Sequence, residues 1–356
     1  MALRRKCDMK KLISGLILIM ASFLVFAENT AIELAVEAMD KKDYETAKKL
    51  FEPEAYKGDE YALVFMGDIY YYGYGVDKDY KKARSFYEKA AAKGQASAAN
   101  NLGIMYESGW GVKANTKKAI SYYEKAAYSG YGISFYNLGT LYLQGRGVEA
   151  DENKAFDYFS RGAELEDINC ITALGYMSEY GFGTEMDYKK AFDYYSIAAE
   201  KGDKTAQTNL GLAYKYGRGT EANLEKAIYW FKKGSENGDC DAQYNLGVTY
   251  IEQKDYKQSL YYYTLAAEQN EAKSICDIGY IYANGLGVDQ NYDIAFHYYL
   301  KSAELGCSIA QSNTGSFYEQ GKGCKQDLIK AIEWYRKAAA QGDQDAIDRL
   351  EQLGMN

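Results

Sequence analysis

Apolar and polar positions along the chain fall into two alternating helical patterns. The first surrounds a glycine, as in Leu102-Gly103-Ile104-Met105-Tyr106, with a small residue five positions before it, usually leucine just before it and tyrosine three after. At about 100° per residue these positions form one apolar stripe, which predicts a helix, A, buried along that stripe. The marker glycine recurs as Gly67, Gly103, Gly139, Gly175, Gly211, Gly247, Gly279 and Gly315, at intervals of 36 residues save one of 32. Glycine inside a helix costs about 1 kcal/mol against alanine, so its recurrence predicts a neighbour too close for a Cβ.

The second pattern opens near Lys-Ala and carries paired rings, from Phe86/Tyr87 and Tyr122/Tyr123 to Tyr298/Tyr299 and Trp334/Tyr335. Paired small residues such as Ala90-Ala91 follow, and large against small at fixed offsets lets neighbouring helices interdigitate. This is helix B. Between A and B runs Gly-x-Gly, then Val or Thr, with Asp or Asn nearby to start the next helix. The short interval lacks this turn, because Tyr250 runs through Ile251-Glu252-Gln253-Lys254 into Asp255. The same shortened form opens the array, with Ala35 at the marker position and Pro53 expected to kink the first helix B near its last turn. No helix pair buries its apolar face alone, so the expectation is an all-α solenoid of antiparallel helix pairs over residues 28–356, closed by a capping helix at 343–353. The charged residues of that cap, Asp348, Arg349 and Glu351, suit a solvent-facing end.

Composition narrows the function. A single proline and 34 glycines fit regular punctuation of a helical array, and 47% apolar residues exclude disorder. The formal charge is −8, and residues 1–27 are net basic, so the remainder is more acidic still. Such a chain repels phosphate backbones, and nucleic acid is not an expected partner. Residues 1–27 read as a secretory signal: Lys10 and Lys11, an apolar run from Leu12 to Phe26, then Val25 and Ala27 as small residues before Glu28. The run is too short to span a bilayer, so an exported protein, periplasmic or secreted and without a membrane span after processing, is expected. The five cysteines beyond it, Cys170, Cys240, Cys276, Cys307 and Cys324, are an odd number at irregular repeat positions, which suits helix packing better than a disulfide framework. With one histidine, His297, and no Cys-x-x-Cys, neither a metal site nor a cofactor is expected.

The pattern Ala-x-x-x-Leu-Gly-x-x-Tyr-x-x-Gly-x-Gly-Val, read at Ala98 to Val112, continues as a helix B pattern at Asn115 to Gly130. Together they resemble the Sel-one-like repeat family, relatives of the tetratricopeptide repeats. The resemblance covers nearly all of the chain beyond the signal. It implies a right-handed superhelix serving as an adaptor or binding scaffold. A cysteine-rich branch of the family, disulfide-bonded within each repeat, is associated with penicillin binding and β-lactam hydrolysis. The cysteines here do not recur as pairs, which separates the chain from that branch.

Catalytic chemistry finds little footing. A serine acyl enzyme of the β-lactam class needs Ser-x-x-Lys, which occurs nowhere in the sequence, and Lys-Thr-Gly is also missing. His297 falls on the charged side of its helix. The recurring Gly-x-Gly joins helix to helix, whereas a phosphate loop joins a strand to a helix once per domain. The expected function is therefore a non-catalytic scaffold that binds another protein or peptide on its concave face. A hydrolase or binding protein for cell-wall peptides or β-lactams is the alternative.

A solenoid's ligand sits on the exposed stripe of one helix set, usually the inner A helices. One and five residues after the marker, the central units place Tyr176, Tyr180, Leu212, Tyr216, Val248 and Tyr280 where solvent is expected. Two before it runs an asparagine series that includes Asn209 and Asn245, whose amides could clamp an extended peptide or tie neighbouring helices together. An exposed apolar patch of this kind marks a partner site.

Overall fold

The computed structural model describes residues 31–355; the signal-like segment 1–27 lies outside them. Among the described residues every regular element is a helix. The first A helix is α1 (31–40) and its partner is α2 (Tyr44–Lys57). Then come α3 (Glu60–Tyr72), α4 (Tyr80–Ala92), α5 (Ala96–Ser108), α6 (Thr116–Tyr128), α7 (Gly132–Gln144), α8 (Glu152–Glu164) and α9 (Ile168–Tyr180). They continue as α10 (Tyr188–Glu200), α11 (Lys204–Tyr216), α12 (Leu224–Glu236), α13 (Cys240–Glu252) and α14 (Tyr256–Glu268). The last are α15 (Ala272–Asn284), α16 (Tyr292–Glu304), α17 (Ser308–Gln320), α18 (Leu328–Ala339) and the cap α19 (Gln344–Gln352). Odd numbers are A helices, even numbers B helices. Contacts divide the chain into two compact units, the first running to Leu174 with Phe182–Glu185 and the second made of Gly175–Gly181 with Met186 onward.

From α3 onward each pair closes on its marker glycine. A methyl group at Gly103 would stand 2.5 Å from the Tyr123 ring, and one at Gly211 would stand 2.6 Å from Phe231. The second ring of each helix B pair thus lies flat on bare helix A backbone, where no side chain fits. Tyr87, Tyr123, Phe159, Tyr195, Phe231 and Tyr263 are all buried there. The first ring of the pair stacks at the edge on the tyrosine three after the marker, with centroids 5.4 Å apart for Tyr106–Tyr122 and 5.7 Å for Tyr250–Tyr262. A lysine from the start of helix B often covers that tyrosine, as Lys118 does Tyr106 at 5.1 Å.

The turns obey the same economy. Gly217 caps α11 at φ +69°, and a Cβ on Gly219 (φ +71°) would strike the Tyr188 carbonyl oxygen at 2.0 Å, so the turn is glycine both for handedness and for clearance. Aspartate or asparagine then caps helix B through its side chain, as Asp187 and Asn223 do. In the two shortened units the glycine pair is missing and Lys42 (φ 59°) and Lys254 (φ 61°) take the left-handed position. Ala35 is fully buried in one core cluster with Phe51, as its reading as a marker requires. Helix α2 runs on through Pro53 to Lys57. At the other end Arg349 departs from its expected solvent-facing place: it turns back onto α17 and pairs with Glu319.

Candidate binding surface

Successive A helices meet directly within each unit, α3 with α5 in the first, and α11 with α13, α13 with α15 and α15 with α17 in the second, and approach more closely than successive B helices do. Their exposed stripe is therefore the crowded, inner side of the stack. All eight residues singled out from the sequence lie on it within the second unit.

Four of them are exposed: Tyr176, Tyr180, Tyr216 and Tyr280. Tyr176 and Tyr180, one helical turn apart, touch with ring centroids 4.7 Å from each other. Arg218, in the turn after α11, spans the next step. Its guanidinium stands 5.4 Å from the Tyr216 ring and 6.0 Å from Tyr188, and its Nη1 pairs with Glu179 Oε1 at 2.7 Å. Lys215 Nζ stands 5.7 Å from the Tyr216 ring as well. Leu212 and Val248 correct the expectation of exposure. Both are half-buried and pack against core clusters, Leu212 on that of Phe231 and Leu246 and Val248 on that of Ile275 and Ile278. A branched aliphatic side chain at this position is short enough to be covered from the next unit, whereas a tyrosine reaches past it. Tyr280, on α15, stands apart from the cluster around Arg218.

The asparagines divide between the units. In the first, Asn137 Nδ2 and Ser134 Oγ both donate to Asn100 Oδ1, at 2.8 and 2.9 Å, tying α7 to α5. In the second, Asn245 Nδ2 turns back to the Asp241 carbonyl of its own helix at 2.8 Å. Asn209 is half-buried beside it in sequence phase.

One recurrent device escaped sequence reasoning. Four residues after the marker, a glutamate accepts the hydroxyl of the ring beneath the glycine and pairs with an arginine from the following unit. Tyr123 donates to Glu107 at 2.7 Å and Arg146 pairs with it at 2.7 Å; Tyr195 donates to Glu179 at 2.9 Å; Tyr335 donates to Glu319, which Arg349 holds. These carboxylates are mostly covered, and each charge is matched by an arginine and a hydroxyl. The Arg349 hydrogen bond holds the Glu319 carboxyl below the usual range. The signal was present as Gly-Arg-Gly at Arg146 and Arg218 following glutamate at Glu107 and Glu179, but the partners lie 39 residues apart in the chain.

Two other acids have no arginine against them. Burial raises Asp68, which accepts from Tyr87 at 2.6 Å, to about 6, and raises Asp277, which accepts from Tyr263, to about 6. His297 is exposed, edge-on to Tyr298. Among the described residues no three His, Cys, Asp or Glu side chains converge as a metal site, and no helix is long and apolar enough to cross a membrane.

Paired helices of this length, each pair closed by a ring over a bare glycine and stacked A against A, define an α-helical repeat protein. The Sel1 repeat model matches residues 60–95, 96–131, 136–167, 169–203, 204–239, 240–271, 272–307 and 308–343, and the chain belongs to the Sel1 repeat family. Helices α1 and α2 precede the first matched repeat yet share its core. The chain is similar to a protective antigen present in uropathogenic Escherichia coli strains displaying an SLR fold, at 32% identity and TM-score 0.67, over 90% of this chain and 70% of that one. It is also similar to a Sel1 repeat protein from Oxalobacter formigenes, at 28% identity and TM-score 0.66, over 86% and 90% of the two chains. No functionally curated protein matches the sequence.

Proposed function

We propose that the protein is an exported, non-catalytic scaffold that binds an extended or helical segment of another protein on the A-helix face of its second unit. The observation that carries this reading is the cluster of Tyr176, Tyr180 and Tyr216 around Arg218, exposed yet held in place by Glu179. Tyrosine presents a broad, rigid face at small entropic cost and keeps a hydroxyl for hydration, and a pre-oriented guanidinium adds forked donors for a partner's carbonyls or carboxylates. Export is supported by the signal pattern at 1–27 and by the likeness to a protective antigen. The missing Ser-x-x-Lys supports the absence of hydrolytic activity.

Affinity capture from the native envelope followed by calorimetry tests the reading. The identified partner should bind the wild-type chain, and Tyr176→Ala and Tyr216→Ala should each weaken it by about 1–3 kcal/mol, the range of interface anchors. Unchanged affinity in both variants moves the site elsewhere. A nitrocefin assay on the same preparation should show no turnover, and turnover would revive the hydrolase.

A further inference from the structure

The cysteines, scattered in sequence, are not all apart in space. Cys276 on α15 and Cys307 at the N-cap of α17 line one pocket, near enough that each thiol is the main influence on the other's proton affinity. Two repeats earlier the same two positions hold Thr208 and Asp239, whose hydroxyl and carboxylate meet at 2.8 Å in a buried contact. The fold can bring these two positions into contact, and here they hold two thiols. The cap position is acidic at Asp59, Asp203, Asp239 and Asp343, each accepting a backbone N–H at the helix start. It is a site built for an anion.

We propose that Cys276 and Cys307 form a thiol–disulfide exchange site that reacts with low-molecular-weight disulfides and closes to a disulfide joining α15 to the start of α17. The two cysteines have distinct parts. Cys307 is partly exposed and lines a pocket of about 550 Å³ with Tyr244, Lys273, Leu305 and Ile309, so a small reagent reaches it. Cys276 lines the same pocket but is buried, so it is the less accessible of the two thiols. The Cys276 thiol, above all, and the N–H groups of Ala310 and Ile309 at the start of α17 hold the Cys307 thiol down to about 6, against the opposing effect of burial. The Cys307 thiol, then burial, pushes Cys276 up.

In the first step the Cys307 thiolate attacks one sulfur of the reagent; its S–S bond breaks, a mixed disulfide forms on Cys307 and one thiolate leaves. Cys276 then gives up its proton to that thiolate and attacks Cys307 Sγ, expelling the second half of the reagent, which takes up a proton from solvent. Two protein thiols are oxidised by two electrons, and one reagent disulfide is reduced to two thiols.

The test is to incubate the reduced full-length chain with oxidised glutathione and map the products by mass spectrometry. A Cys276–Cys307 cross-linked peptide is expected, with a melting temperature about 5 °C above the reduced form. In Cys276→Ser glutathione should remain trapped on Cys307. In Cys307→Asp, which restores the acidic cap found in other repeats, Cys276 should stay unmodified and the reagent should leave melting unchanged. Absence of the cross-linked peptide in the wild-type chain, or adducts on Cys240 and Cys324 as fast as on Cys307, would overturn the proposal.

Discussion

The A-helix faces of the two units solve one problem in different ways. In the first unit side-chain amides and hydroxyls bridge helix to helix: Asn137 and Ser134 converge on Asn100, and Asn101 reaches Asp68 at 3.5 Å. Much of the stripe is spent on holding the stack together, with Tyr72 left exposed at its edge. In the second unit Asn245 folds back onto its own helix and the tie passes to Lys215, whose buried stem carries its ammonium to Glu252 at 2.9 Å. That frees neighbouring positions for tyrosines that stay exposed, with Arg218 fixed among them. One repeat template therefore yields a more self-tied face and a presenting face through what occupies a few positions of the A-helix stripe.

The comparison breaks hardest at the rings both units share. Tyr123→Ala and Tyr195→Ala should each destabilise by about 3–5 kcal/mol, because each empties the space over a marker glycine and takes one hydrogen bond from the glutamate that accepts its hydroxyl. Urea denaturation measures this directly, and a loss confined to one unit would show that the units do not share a core design.

Asp277 comes next. Its folded pKa, about 6, lies above the ordinary 3.8, so the folded chain holds an extra proton between these values. The sign follows: this contribution is full below about pH 4 and is lost as pH rises through about 6. Asp277→Asn should raise stability at pH 7 by about 2 kcal/mol and flatten the pH profile, with Tyr263 still able to donate to the amide oxygen. Asp68→Asn should do the same in the first unit. Thermal melts across pH 4–8 will show it, and a wild-type profile that rises over this range would reverse the assignment.

Gly103→Ala should cost about 1–3 kcal/mol, since its methyl meets the pinned Tyr123 ring. A subtler contrast lies in the asparagines. Asn137→Ala should cost about 1 kcal/mol by removing a donor from buried Asn100, while Asn245→Ala should stay within about 0.5 kcal/mol. Equal effects would erase the distinction between the two faces.

Nearly all of the fold could be read from residues because it repeats. The glycine marker, the ring pair and the cap each occur in phase, so chance agreement at one unit is corrected by the others. The family resemblance drawn from Ala98 to Gly130 held for the same reason. The surface was only half legible. Helical phase tells which way Leu212 and Val248 point but not whether the next helix covers them, and it does, because their side chains are short. The glutamate–arginine pairs and the approach of Cys276 to Cys307 join one A helix to elements beyond its own helix pair, and they emerge only once stacking sets the register between successive pairs.

The most direct test of the central claim uses peptides selected from a displayed random library on the wild-type chain, followed by titration calorimetry on variants. Tyr176→Ala/Tyr216→Ala, in the second unit, should bind the selected peptides at least tenfold more weakly while keeping wild-type helicity and melting. Tyr72→Ala, an exposed tyrosine of the first unit, should bind them as the wild type does. Equal affinity for the wild-type chain and the double variant, or a loss as large in Tyr72→Ala, would contradict the assignment of binding to the second unit's A-helix face.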